Sequence, residues 1–142
     1  MDFNARQMKE DALIKEGRYK FRVLDAREKR ASSGTDMLNL KLELSINGRQ
    51  VIYWTTLFLM PKMFWQIEHF CKATGMPEKI EEGRLMAQDC FDREGYIEII
   101  QKANKETGEI ENQTKDFVKP EDLKPSEAAE LDFIDDEIPD LI

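Results

Sequence analysis

Alternating apolar and polar positions organise most of this chain. Between Gly17 and Arg27, Tyr19, Phe21 and Val23 alternate with Arg18, Lys20 and Arg22, which predicts a strand with one buried face. Glu28–Thr35 is polar and carries the Ser and Gly of a hairpin loop. The second strand is the clearest. Leu38, Leu40, Leu42, Leu44 and Ile46 fall on one face, and Asn39, Lys41, Glu43 and Ser45 on the other. Asn47-Gly48 predicts a two-residue turn, because both residues tolerate positive φ. The third strand, about Gln50–Phe58, is dense in β-branched and aromatic residues. Pro61 then opens a helix, with Met63, Phe64, Ile67, Phe70, Cys71 and Thr74 at helical spacing and a stop at Gly75 and Pro77. Residues 78–93 are charged and less regular, with a short turn around Arg84–Gln88. A fourth strand starts near Gly95, Asn104–Gly108 makes a turn, and a fifth strand runs from about Ile110 to Val118.

The order β-β-β-α-β-β, a meander followed by a helix and a final hairpin, predicts a mainly β, OB-fold-like five-stranded antiparallel barrel with one helix between strands 3 and 4. An antiparallel sheet with one helix laid across it is the competing architecture. Residues 1–16 mix charge with Phe3, Met8, Leu13 and Ile14 and read as an arm or short helix. The barrel occupies 17–119. Pro120 and Pro125 mark the exit into a flexible acidic tail, 120–142.

A length of 142 residues allows one domain with a modest core. No run of about 18 apolar residues suggests a membrane span, the N-terminus lacks the layout of a signal peptide, and the expected location is the cytoplasm. Cys71 and Cys90 stand without metal-site spacing and read as reduced thiols.

The net charge of −8 is unevenly placed. Ser126–Ile142 holds seven carboxylates and no lysine or arginine; of the 29 acids, 22 remain in the body against 21 basic residues. From Arg18 to Met60 there are eight basic residues and four acidic ones. Local charge, more than the total, decides whether a phosphate backbone can dock. In the tail, Phe133, Ile134, Ile138, Leu141 and Ile142 are threaded through Asp135, Asp136, Glu137 and Asp140, with Pro139 among them. Acid keeps such a segment extended, and its apolar side chains give a partner pocket something to bury.

Catalysis finds little support. His69 is the single histidine, no nucleophile motif is present, and neither a metal site nor a cofactor is implied. Binding finds more. A single-strand binder needs cations along a groove and aromatic faces on which bases stack. The first three strands offer Lys20, Arg22, Arg27, Lys29, Arg30, Lys41 and Arg49, with adjacent Tyr53 and Trp54, one of which must point away from the core. Lys102, Lys105 and Lys115 around the last hairpin could close the groove from the other side.

The segment Gly17-Arg18-Tyr19-Lys20-Phe21-Arg22-Val23, the loop Ser33-Gly34-Thr35 before Leu38–Leu42, Ile52-Tyr53-Trp54, and the helix with Phe64–Ile67 and Phe70–Gly75 resemble phage-encoded OB-fold single-stranded DNA-binding proteins. The resemblance spans about Gly17–Val118. The tail is similar to the acidic tip of bacterial single-stranded DNA-binding proteins. It departs from that tip in ending Asp140-Leu141-Ile142 where they end in Phe. This likeness implies a protein that coats and protects single strands during replication, recombination or repair, recruits partners through its tail, and lets the tail screen the groove until DNA displaces it. Oligomeric state stays open, a homo-oligomer included.

Two rivals stay beside this reading. One is a protein–protein adaptor or inhibitor whose tail mimics nucleic acid. The other is a small nuclease or nucleotide-processing subunit, which would need several of Glu78, Glu81, Glu82, Asp89, Asp92 and Glu94 gathered around a metal.

Overall fold

Five strands form one antiparallel sheet in the computed structural model, which describes residues 1–131. They are β1 (Gly17–Arg30), β2 (Asp36–Ile46), β3 (Arg49–Leu59), β4 (Glu94–Ala103) and β5 (Ile110–Val118), in the spatial order β3-β2-β1-β4-β5. The leucines at alternate positions of β2 explain why this sheet has one dry side: Leu38, Leu40, Leu42 and Leu44 are all fully buried. At Asn47-Gly48 both residues adopt positive φ, as the β2–β3 turn requires. β1 runs on to Arg30, so Glu28–Arg30, expected in the loop, are paired with Leu38, Met37 and Asp36.

β1 serves two neighbours. Gly17–Arg22 pairs with β4, and Phe21–Arg30 pairs with β2, with a bulge between Val23 and Asp25. At the bulge the Val23 backbone turns to residues 92–93: its N–H donates to the Arg93 carbonyl at 2.9 Å, and its carbonyl accepts from Asp92 N–H at 3.0 Å. A bulge bends a strand and increases its twist. The bend allows one strand to serve both halves of the sheet.

The strand order puts β3 and β5 at the two edges, and these edges meet through side chains. Thr114 of β5 shares hydrogen bonds with the Tyr53 hydroxyl (2.9 Å) and the Thr55 hydroxyl (2.8 Å) of β3. The expected barrel is thus an open five-stranded ladder, with the OB order of strands, curled until its edges touch. Helix α2 (Phe64–Ala73), entered through a 3₁₀ turn at Pro61–Met63, covers one end. Its Phe70 meets Phe117 of β5 edge-on at 5.0 Å, and Phe117 meets Phe21 of β1 at 5.8 Å. One aromatic therefore ties the helix, the last strand and the first strand together. Two further short helices, α3 (Glu78–Glu82) and α4 (Ala87–Cys90), occupy the stretch expected to be irregular.

The N-terminal residues form α1 (Ala5–Asp11), capped by the Asn4 side chain accepting from Gln7 N–H. The segment is tied to the β4–β5 hairpin. Asn112 accepts from Ile14 N–H at 2.8 Å and donates to the Ile14 carbonyl at 2.8 Å, and Gln101 N–H donates to Glu16 at 2.7 Å.

Residues 120–131, expected within the flexible tail, are folded. They fold back over the outer face of β4 and β5 through a 3₁₀ turn at Pro120–Asp122 and α5 (Pro125–Ala128). Leu131, at 0% exposure, packs with Tyr96 and Val118, and Leu123 and Ala128 flank them. Arg18 clamps this strap by donating to the Asp122 carbonyl (3.0 Å) and Glu127 (3.3 Å), and the Tyr96 hydroxyl donates to Glu130 at 2.6 Å. The physical reason is that Tyr96 and Val118, opposite each other on the outer face, form an apolar patch that needs a cover. The docking segment Phe133–Ile142 lies outside the described residues.

A chain ending at Pro125 should therefore be less stable than one ending at Leu131 by about 1.5–3 kcal/mol, the worth of burying a leucine, as read in urea unfolding. At Gly95 a methyl group would lie 2.8 Å from the Ala73 carbonyl and 3.1 Å from the Phe21 ring. Gly95→Ala should cost about 1–3 kcal/mol by overpacking, seen as a lowered unfolding midpoint with the ladder intact.

Candidate nucleic-acid interface

Strand alternation fixes which side chains leave the core. On β3, Tyr53 and Leu57 point inward and are buried, so Ile52, Trp54, Thr56 and Phe58 point out. Ile52, Trp54 and Phe58 are 45%, 62% and 39% exposed, an apolar stripe along an edge strand. On β2 the outward residues are Met37, Asn39, Lys41, Glu43 and Ser45; past the bulge of β1 they are Asp25, Arg27 and Lys29. Register places Phe58 opposite Met37, Thr56 opposite Asn39, Trp54 opposite Lys41 and Ile52 opposite Glu43. The Lys41 ammonium lies 5.6 Å from the Trp54 ring centroid. Cation and aromatic face are thus presented together, an arrangement suited to planar, anionic ligands.

Of Tyr53 and Trp54, Trp54 is the one facing outward. Tyr53 is buried and bonded to Thr114, and its burial raises the phenol above its ordinary pKa while the Thr114 bond partly opposes this. It closes the sheet and leaves the interface.

The cations sort by their partners. On the first half of β1, Lys20 lies 3.8 Å from Glu94, and Arg22 lies 3.4 Å from Glu43 and 3.8 Å from Asp92. Arg30 pairs with Asp36 at 2.9 Å, and Lys115 with Glu98 at 3.5 Å. Arg27 is exposed and reaches Asp25 at 3.1 Å. Among the described residues Lys29, Lys41, Arg49, Lys102 and Lys105 form no ion pair. Lys29, Lys41 and Arg49 lie on β1, β2 and β3; Lys102 and Lys105 lie on the β4–β5 hairpin, whose strand β5 meets β3 through Thr114. The cationic centre therefore shifts away from Arg18–Arg22 toward Lys29 and Lys41, while Arg49, opposite Ile46 and two residues before Val51, lies on the other side of β3 from Trp54. Sequence reasoning missed Ile52 and Phe58 as surface residues, although both stand at even spacing from Trp54.

The carboxylates of residues 78–94 are dispersed among cations: Glu82 and Asp89 pair with Lys79, Asp92 with Arg22 and Glu94 with Lys20. Among the described residues no group of three or more His, Cys, Asp or Glu is placed to hold a metal ion. His69 takes a structural position, its Nδ1 2.7 Å from Asp116 and its ring edge-on to Trp65. None of the described helices is long and apolar enough to cross a membrane.

A family model described as a protein of unknown function, DUF669, matches residues 1–120. The chain belongs to the DUF669 family. No curated protein matches it. The DUF669 match takes in the arm, all five strands and helices α1 to α4, and it ends where the strap begins.

Both cysteines of this DUF669 chain are free and buried, with no disulfide between them. Burial pushes each thiol up to about 12; nearby carboxylates add to this, and at Cys90 the neighbouring Cys71 does too. A thiol whose folded pKa is raised stabilises the fold fully below its ordinary value, 9.0, and loses that contribution as pH climbs toward 12. Native protein at pH 8 should be inert to a thiol-specific reagent, with two thiols reacting after unfolding. The urea midpoint should fall between pH 9 and 11, less steeply in Cys71→Ala.

Proposed function

We propose that this protein binds single-stranded DNA, independently of sequence, across the outer face of β1, β2 and β3. In this reading it serves as a coating and protecting accessory in replication, recombination or repair. The observation that carries the proposal is Trp54, an exposed aromatic on a β-strand with Lys41 beside its ring and Ile52 and Phe58 in line with it. A large apolar stripe left in water on an otherwise well-buried sheet marks a contact surface. The unpaired Lys41 beside it, with Lys29 on the same face of β1, suits a polymer of flat bases joined by phosphates.

Bases stack on Trp54 and Phe58, and Lys41, Lys29 and Arg27 meet the phosphates. Lys102 and Lys105 reach the strand from the β4–β5 hairpin. Neither stacking nor phosphate pairing reads base identity, so the binding is broad. The acidic segment beyond Leu131 recruits partner proteins.

Fluorescence anisotropy of a labelled oligo-dT tests this. Full-length protein should bind with an affinity that falls as salt rises. Trp54→Ala should weaken binding roughly 5- to 100-fold, the loss expected for one or two stacked bases. Lys41→Glu should weaken it and flatten the salt dependence. Lys115→Glu, whose lysine is already paired with Glu98, should change it little. Ending the chain after Leu131 should strengthen binding. No binding by either chain at low salt overturns the proposal in favour of an adaptor that acts through its tail.

A further inference from the structure

A second site lies on the other side of β3. Leu59 follows Phe58 and points to the opposite side, where with Phe64 and Ile67 of the α2 region and Ile80 and Leu85 it lines an apolar pocket of about 330 Å³. Phe64 stands 49% exposed beside it, with no described residue covering the opening's aromatic edge. A second depression adjoins it, sharing Leu59, Arg84 and Leu85, and extends to Lys29 and Met37. Together they form a trough with an apolar floor.

Cations outnumber carboxylates in the trough's lining, Lys29, Arg30, Lys79 and Arg84 against Glu28 and Asp36. Arg84 on its wall, Lys29 at its far end and Lys62 on the neighbouring 3₁₀ turn form no ion pair among the described residues. Of the carboxylates nearby, Asp36 pairs with Arg30, Glu82 and Asp89 pair with Lys79, and Glu28 accepts from Ala87 N–H. A ligand that fits this trough carries bulky apolar side chains interspersed with carboxylates.

The chain itself contains such a segment. Asp132-Phe133-Ile134-Asp135-Asp136-Glu137-Ile138-Pro139-Asp140-Leu141-Ile142 has five acids, five large apolar residues and no cation. It begins one residue after the anchored Leu131. Eleven extended residues reach roughly 36–40 Å, on the order of the width of a domain of this size.

We propose that residues 132–142 dock in the trough beside α2, the Ile138/Leu141 pair filling the apolar pocket and the acids meeting Arg84, Lys62 and Lys29. The site is separate from the aromatic stripe and does not depend on DNA binding. Docked there, the tail occupies Lys29 at the border of the DNA face, which links tail release to strand binding.

The test uses no DNA. A fluorescein-labelled peptide of residues 132–142 is titrated at low salt onto the full-length chain carrying Ile138→Asp and Leu141→Asp, which empties the site of its own tail. Saturable binding is expected, weakened at least tenfold by adding either Arg84→Glu or Phe64→Ala and unchanged by adding Trp54→Ala. The wild-type chain, its trough filled, should bind the peptide several-fold more weakly. Thermal unfolding of each variant checks that it is folded; Arg84 is exposed and on a turn, so its reversal should leave the midpoint unchanged. Absence of saturable binding overturns the proposal. So does binding that ignores both Arg84→Glu and Phe64→Ala, or binding lost on Trp54→Ala, which would place the tail on the sheet face.

Discussion

The double pairing of β1 is the constraint on which the molecule rests. A strand has two hydrogen-bonding edges, and β1 uses one for β4 and the other for β2, with the overlap at Phe21 and Arg22. Serving both over fourteen residues requires a bend. The bulge after Val23 supplies it, and the orphaned backbone groups of Val23 are met by residues 92 and 93. Without that bend the two hairpins would extend as a flat ribbon, and β3 and β5 would stay exposed edges. With it they come close enough for Thr114 to bridge Tyr53 and Thr55, and Phe117 can lie between Phe21 and Phe70.

Curling the sheet gives it an inside and an outside, and the outside is divided in two. Over β4 and β5 the outer patch of Tyr96 and Val118 is covered by the strap and sealed by Leu131. Over β1 to β3 no described element covers Ile52, Trp54 and Phe58. The difference is a matter of cost. Each large apolar side chain left exposed forgoes part of the roughly 1.5–3 kcal/mol that full burial brings, and among the described residues the covering segment lies over one patch only. The bare half is where a ligand gains most by binding.

The same division assigns the cations. Arg18 holds the strap, and Lys20 and Arg22 neutralise Glu94, Glu43 and Asp92, so the most basic stretch of sequence is largely structural. Among the described residues, cations without acidic partners are scattered along the chain, Lys29, Lys41, Lys62 and Arg84 among them. These four fall on two sides of β3: Lys41 with the aromatic stripe, Arg84 and Lys62 with the apolar trough, and Lys29 at the border between them. Two surfaces of different chemistry thus share one edge strand.

Local pattern was enough to read the strands, the Asn47-Gly48 turn and helix α2, because period-2 and period-3.6 burial and turn geometry are set by neighbours in sequence. It also limited the outward aromatic to Tyr53 or Trp54. Other features depended on residues distant in sequence. The strap could not be read, because its acids and prolines look like a tail until the Tyr96–Val118 patch is known. Which lysines and arginines remain unpaired depended on carboxylates brought in from β2, β4 and residue 92. Trp54 was chosen over Tyr53 by register against β2 and by Thr114, some sixty positions away. Sequence by itself determined the elements and the side each residue takes within them; the tertiary structure decided which sides are covered and which charges are free, because burial and ion pairing belong to pairs of segments.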